Sequence, residues 1–282
     1  MYEDIFNKIT IEAKKRNLRD STIHAYCQSV AYFLNHTNKP TDELNTEDVD
    51  AFLTEKRLDG IRPDTYNHYL SGIRFFYKKI LKMNWDDDDI PRMKKDRKLP
   101  AVLTKNEVQA ILDATPNPKH KAMIAVMYSG GLRVSEVTRL HYSDISRKNK
   151  TIHIRDGKSR SDRYTLLADR TLEILTEYWF TCGKPREILF PSSSTGSYLT
   201  TDTVIQFFHK SVQKAGIKKQ VSTHSLRHSF ASHLYESGCD IKYIQALLGH
   251  RDPKSTEIYI HVSNKSLLGI KSPFDEKDGD IG

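Results

Sequence analysis

Between Ser222 and His261 the chain carries His224, Arg227, His250 and Tyr259, separated by apolar residues at helical spacing. His224 and Arg227 are three positions apart, which makes them neighbours on one helix face. A guanidinium binds two phosphate oxygens in fixed geometry, and imidazoles add further hydrogen bonds. A phenol brought to such a place can attack phosphorus and form a covalent intermediate. Lone His and Tyr residues on amphipathic helices are ordinarily packing residues, and His224 with Arg227 says little alone. The ordered set with Gly249-His250 and, nine residues later, Tyr259 says much more.

Such residues need helices to hold them. Ser222 and Thr223 are N-cap residues; Leu226, Phe230 and Leu234 recur every four positions as a buried stripe, and Gly238 ends the helix. Asp240 caps the next helix, Ile241, Ile244 and Leu248 bury one side of it, Gly249 stops it, and His250 follows at its end. Pro253 marks a turn, and Ser255 caps a last short helix carrying Tyr259.

The chain has 282 residues, enough for one large or two modest domains, with 38% hydrophobic residues to build cores. Lys plus Arg number 44 against 36 Asp plus Glu, a net charge of +8, which favours a polyanionic partner: nucleic acid first, an anionic membrane surface second. No apolar run approaches the ~20 residues of a membrane span, and the acidic start Met1-Tyr-Glu-Asp does not resemble a signal peptide. Cys27, Cys182 and Cys239 are too few and too far apart for a disulfide framework or a zinc finger, which points to the reducing cytoplasm.

Residues 1–90 read as a helical domain. Thr22, Tyr26, Val30, Phe33 and Leu34 form one stripe, Thr46 opens a helix through Phe52 and Leu53, and Arg62-Pro63 starts another that runs through Tyr69, Ile73, Phe76, Tyr77, Ile80 and Leu81. Lys78, Lys79 and Lys82 flank that helix. Asp86 to Asp89 are adjacent carboxylates on one loop, a pattern that faces water more often than it binds metal. Pro91 to Pro100 is Pro-bounded and basic, with Arg92, Lys94, Lys95, Arg97 and Lys98; it reads as an interdomain linker lying along a phosphate backbone.

Thr104 and Glu107 have capping-box spacing and open the second domain. Lys121 to Tyr128 is a buried helix broken by Gly130-Gly131, after which Arg133 opens a helix whose N-terminus attracts anions. Glu136 is placed to hold Arg133 through an ion pair. Thr151 to Arg155 and Arg163 to Leu167 alternate like paired strands around a charged turn with Lys158 and Arg160. Residues 168–220 read as helix, loop and helix, with several Lys between Thr201 and Lys219 placed to meet phosphates. After Tyr259, Leu267, Leu268 and Ile270 mark a short apolar helix before a charged tail.

The His224-x-x-Arg227 pair, Leu-Leu-Gly249-His250, Tyr259 nine residues on, and the earlier Ser129-Gly-Gly-Leu-Arg133-Val-Ser-Glu136 run together resemble the tyrosine recombinases of the phage integrase family. The resemblance extends over roughly residues 1–274. It implies a mainly α fold with a small β-hairpin or sheet in the C-terminal domain (α+β). The domains are a SAM-like core DNA-binding domain over 1–90, a basic linker over 91–100, a catalytic domain over 101–274 and a tail over 275–282. The catalytic set it implies is Arg133, Lys158, His224, Arg227, His250 and the nucleophile Tyr259, with Glu136 in support and Lys158 in the hairpin turn as general acid. No metal and no cofactor belong to this chemistry. The implied partners are a double-stranded DNA recombination site and further copies of the chain, a dimer per site and a tetramer in the synapse. The C-terminal segment docks in trans, accessory factors are possible, and no membrane is involved. Lacking a further N-terminal domain, the chain is expected to be a simple Xer-like or integron-like enzyme, serving dimer resolution or mobile-element integration and excision. The rivals are a non-catalytic DNA-binding protein, a type IB topoisomerase and, from the spacing of His224 and His228, a zinc hydrolase; against the last, position 225 is Ser where the metal-binding pattern has Glu.

Overall fold

The computed structural model describes residues 2–94, 99–155, 162–249 and 256. The chain forms two compact units, Met1–Arg97 and Lys98–Gly282, each with its own core. The architecture is mainly helical, with one small antiparallel sheet in the second unit.

The first unit is built from α1 (Glu3–Lys15), α2 (Asp20–Thr37), α3 (Thr46–Leu58) and α4 (Pro63–Phe75). Local chemistry sets their ends. The Asn45 side chain accepts from the Asp48 amide, while the Asp48 carboxylate accepts from the Asn45 amide, both at 3.0 Å, which closes the start of α3. Pro63 occupies the first turn of α4, where a missing N–H costs nothing. Helix α4 runs into a π-helical segment, Phe76–Leu81, which ends at Lys82 with φ 59°. The segment was expected to continue as ordinary helix. The wide turn keeps both Phe76 and Tyr77 fully buried, and the Tyr77 hydroxyl donates to the Asn45 carbonyl at 2.9 Å. Val30, Phe33 and Leu34 are buried as their spacing predicts. Of the four aspartates, Asp87 does more than face water: it accepts from Trp85 Nε1 at 3.1 Å and pairs with Arg74 at 2.5 Å.

The second unit opens with α5 (Lys105–Asp113), capped reciprocally by Thr104 and Glu107. Helix α6 (Pro118–Ser129) is buried along Ala122–Met127, so no amphipathic stripe shows in its sequence. Gly130 and Gly131 turn the chain, and α7 (Val134–Val137) is a single turn. Strands β1 (Ile145–Ser146), β2 (Thr151–Ile154) and β3 (Arg163–Leu166) form an antiparallel sheet in that order, with Thr151 opposite Leu166 and Ile154 opposite Arg163. The two-residue β1 adds to the expected hairpin. Helices α8 (Asp169–Thr181), α9 (Thr201–Lys214), α10 (Thr223–Glu236) and α11 (Ile241–Leu248) follow. Helix α6 packs against α8, α9 and α10. Ser229 on α10 binds the segment before α5 through a buried bond from the Leu103 amide, 2.8 Å. Among the described residues no helix is long and apolar enough to cross a membrane.

Candidate active site

The site is assembled where the Gly130-Gly131 turn meets the end of α11. Gly131 has φ +63°, and a Cβ there would lie 2.4 Å from a ring carbon of Phe230; only glycine lets the turn pass so close to α10. Two residues on, Arg133 is the N-cap of α7 in extended conformation. Its backbone N–H donates to Glu136 Oε2 at 2.8 Å, and its Nη1 donates to Glu136 Oε1 at 2.7 Å. Glu136 therefore fixes Arg133 as the sequence suggested. The expectation that Arg133 opens a helix attracting an external anion is corrected in part: α7 is one turn long, and the chain's own carboxylate takes its first amide.

Glu136 is 8% exposed and is reached by three guanidinium groups. Arg163, the first residue of β3, binds it in a two-pronged fork: Nη1 to Oε1 at 2.9 Å and Nη2 to Oε2 at 2.8 Å. Arg227 Nη1 stands 3.9 Å from Oε2. Burial pushes the Glu136 carboxyl up, but the bonds and charges of Arg163 and Arg133 outweigh it and hold the carboxyl down at about 2. Arg227, itself 4% exposed, donates Nη1 to the Gly131 carbonyl at 2.7 Å and Nη2 to the Leu248 carbonyl at 2.6 Å. Arg163 Nε donates to the Leu247 carbonyl at 2.9 Å. Two arginines thus hold the last carbonyls of α11, which a helix leaves without intrahelical partners.

His224 lies exposed on the first turn of α10, as its capping pattern places it. His228, one turn on, is held down at about 4, first by burial and then by the charges of His224 and Arg227. Among the described residues no group of three or more His, Cys, Asp or Glu is arranged to hold a metal ion. Lys158, Arg160, His250, Tyr259, Lys95, Arg97 and Lys98 lie outside the described residues.

In the first unit, Lys78 and Lys79 line a groove of about 300 Å³ with Tyr26, Ser71, Arg74, Phe75 and Arg92. Arg92 donates to Ser71 Oγ at 3.1 Å. Lys82 and Lys94 are exposed. The groove joins two residues that sequence reasoning did not group with the lysines, Arg74 and Tyr26. Their spacing to Lys78 and to one another across α2 and α4 becomes visible only once the helices pack.

Residues 101–266 match the family model described as the phage integrase family, and residues 5–87 match that of the phage integrase N-terminal SAM-like domain. The chain belongs to the phage integrase family. It is a tyrosine recombinase, 34% identical over 95% of its length to a putative integrase/recombinase, y4qK, of Sinorhizobium fredii, 87% of which is covered. It is 31% identical to the tyrosine recombinase XerD of Oceanobacillus iheyensis, with 94% of each chain covered. The recombinase fold is also that of the XerH site-specific recombinase, solved in a post-cleavage complex with a palindromic difH substrate. There the TM-score is 0.72 at 22% identity, over 96% of this chain and 85% of that one.

Proposed function

We propose that this recombinase cleaves and rejoins DNA at a specific site through a 3′-phosphotyrosine on Tyr259, leaving a free 5′-hydroxyl. The observation that carries this reading is the convergence of Arg133 and Arg227 on one buried carboxylate, at 2.7 and 3.9 Å, which fixes two guanidinium groups in one place. As Tyr259 attacks the scissile phosphate, charge develops on the nonbridging oxygens. Arg133 and Arg227 neutralise it, and His224 and His250 donate hydrogen bonds, a preorganised oxyanion site. Lys158 protonates the leaving 5′-oxygen as general acid. Guanidinium charge takes the part that a divalent cation plays in other phosphoryl transfers. The phosphotyrosine stores the bond for rejoining, so no nucleotide is consumed.

The partner is a double-stranded recombination site. Residues 1–90 bind its core with Lys78, Lys79 and Lys82; residues 91–100 follow the backbone as a linker with Arg92, Lys94, Lys95, Arg97 and Lys98; residues 101–274 carry catalysis, with Arg160 beside Lys158 on the DNA; residues 275–282 are a tail. Two copies bind each site and four form the synapse, joined by the segment after Tyr259 docking in trans. The enzyme works in the cytoplasm, in Xer-like dimer resolution or in the integration and excision of a mobile element.

The experiment is a trap. Wild-type protein incubated in EDTA with a nicked cognate duplex forms a covalent protein–DNA adduct, and Tyr259→Phe binds the same duplex without forming it. An adduct from the Phe variant removes Tyr259 as nucleophile.

A further inference from the structure

Arg163 has no part in that mechanism, yet its side chain is 9% exposed and every nitrogen of its guanidinium is engaged. It is the first residue of β3 and joins three elements that are distant in sequence. Its fork holds Glu136, the residue that fixes Arg133; its Nε holds the Leu247 carbonyl at the end of α11, two residues before Gly249-His250. Gly249, at φ +64°, leaves room for it: a Cβ there would lie 2.8 Å from Arg163 Cδ. Lysine offers one point charge and cannot make the fork and the third bond together. A buried ion pair is weak evidence of a contribution to stability, and this one is spent on keeping two parts of the site in register.

We infer that Arg163 is a positioning residue for DNA cleavage: through Glu136 it sets Arg133, and through Leu247 it sets the end of α11, in one rigid frame. The inference rests on the reading above, in which Arg133 and His250 bind the scissile phosphate. A positioning residue acts on the chemical step. A misplacement of about 1 Å of the reacting groups costs roughly 100-fold in rate while leaving the many phosphate contacts that set affinity intact.

The test uses the full chain and the duplex identified by sequencing DNA ends trapped on the wild-type protein, synthesised with a nick. Single-turnover adduct formation, duplex Kd and the thermal unfolding midpoint are measured for wild type, Arg163→Ala and Arg163→Lys. The expected result is an adduct rate lower by about 100-fold for Ala and by an intermediate factor for Lys, with Kd held within about threefold. A loss under about tenfold in Arg163→Ala, or a rate and Kd that fall in step, overturns the inference. If the Ala variant does not fold, Arg163→Lys decides: slower cleavage at unchanged Kd supports the inference, and wild-type rate or a parallel loss of binding overturns it. Wild-type protein that traps no DNA sinks the Tyr259 reading and this one with it; an active wild type beside fully active Arg163 variants sinks this one alone.

Discussion

Arg227 Nη1 donates to the carbonyl oxygen of Gly131 at 2.7 Å, across 96 positions of sequence. With its second nitrogen on Leu248, the same guanidinium braces both the turn that presents Arg133 and the end of α11. A residue assigned to phosphate binding is thus also a strut, because a buried cation needs fixed acceptors and these two carbonyls need donors.

Arg227→Ala should therefore weaken the fold as well as the chemistry. Two buried carbonyls lose their donor, and the expected loss in unfolding free energy is about 2–4 kcal/mol. Urea denaturation reads it; an unchanged midpoint would mean that water replaces the guanidinium without cost. Adduct formation should fall by a barrier of about 2.7–4 kcal/mol, the usual effect of removing one oxyanion donor.

Gly131→Ala tests the close pass of the turn against α10. The new Cβ meets a Phe230 ring carbon at 2.4 Å and Leu248 Cδ2 at 3.0 Å, in a backbone conformation that L-residues avoid. Overpacking of this kind costs about 1–3 kcal/mol, with the left-handed conformation adding roughly another 1. The lowered midpoint should be partly recovered by pairing it with Phe230→Leu.

Glu136 gives the stability of the enzyme an acid limb. Its folded-state value of about 2 lies below its ordinary 4.5, so the charged form stabilises the fold. That contribution, on the order of 3 kcal/mol, is complete above about pH 4.5 and drains away as the pH falls toward 2. Glu136→Gln should unfold more easily at neutral pH and show a flatter profile over this window. Equal slopes for the two proteins would remove the ion cluster as the cause.

His228 governs a separate window. Its value is lowered from 6.5 to about 4, so the fold favours the neutral ring. Its share of stability is present above about pH 6.5 and lost as the pH falls through 4, on the order of 3 kcal/mol. Burial also lowers His120 and His233, so His228→Gln should remove part of the slope between pH 6.5 and 4.5, above the Glu136 window. Denaturation at half-unit pH intervals resolves the two.

What the sequence made legible was local. The Thr104–Glu107 capping box, the Ser222 cap and the Asp240 cap need only a few adjacent residues, and all three lie where spacing placed them. The Arg133–Glu136 pair spans one helical turn and was equally readable. Arg163 was not, although alternation marked its strand: β3 inverts the apolar-inward pattern, with Tyr164 and Leu166 63% and 40% exposed while Arg163 and Thr165 face inward. Their partners, Glu136 and the Gly130 carbonyl, lie 27 and 35 positions away, so no window of sequence contains the reason for the inversion. The π-helical segment was hidden because a stripe of aromatics at helical spacing looks the same with or without one extra residue in the turn.

That extra residue has a consequence for how the gene can change. Loss of any one codon between Phe76 and Leu81 would let the wide turn close into an ordinary one and take a residue out of a segment in which Phe76 and Tyr77 are both buried. Phe76, Tyr77 and the groove lysines could not all keep their places. The loop at residues 192–196 can lengthen or shorten without such a penalty, so insertions and deletions inherited by this lineage should gather there and be purged from the end of α4.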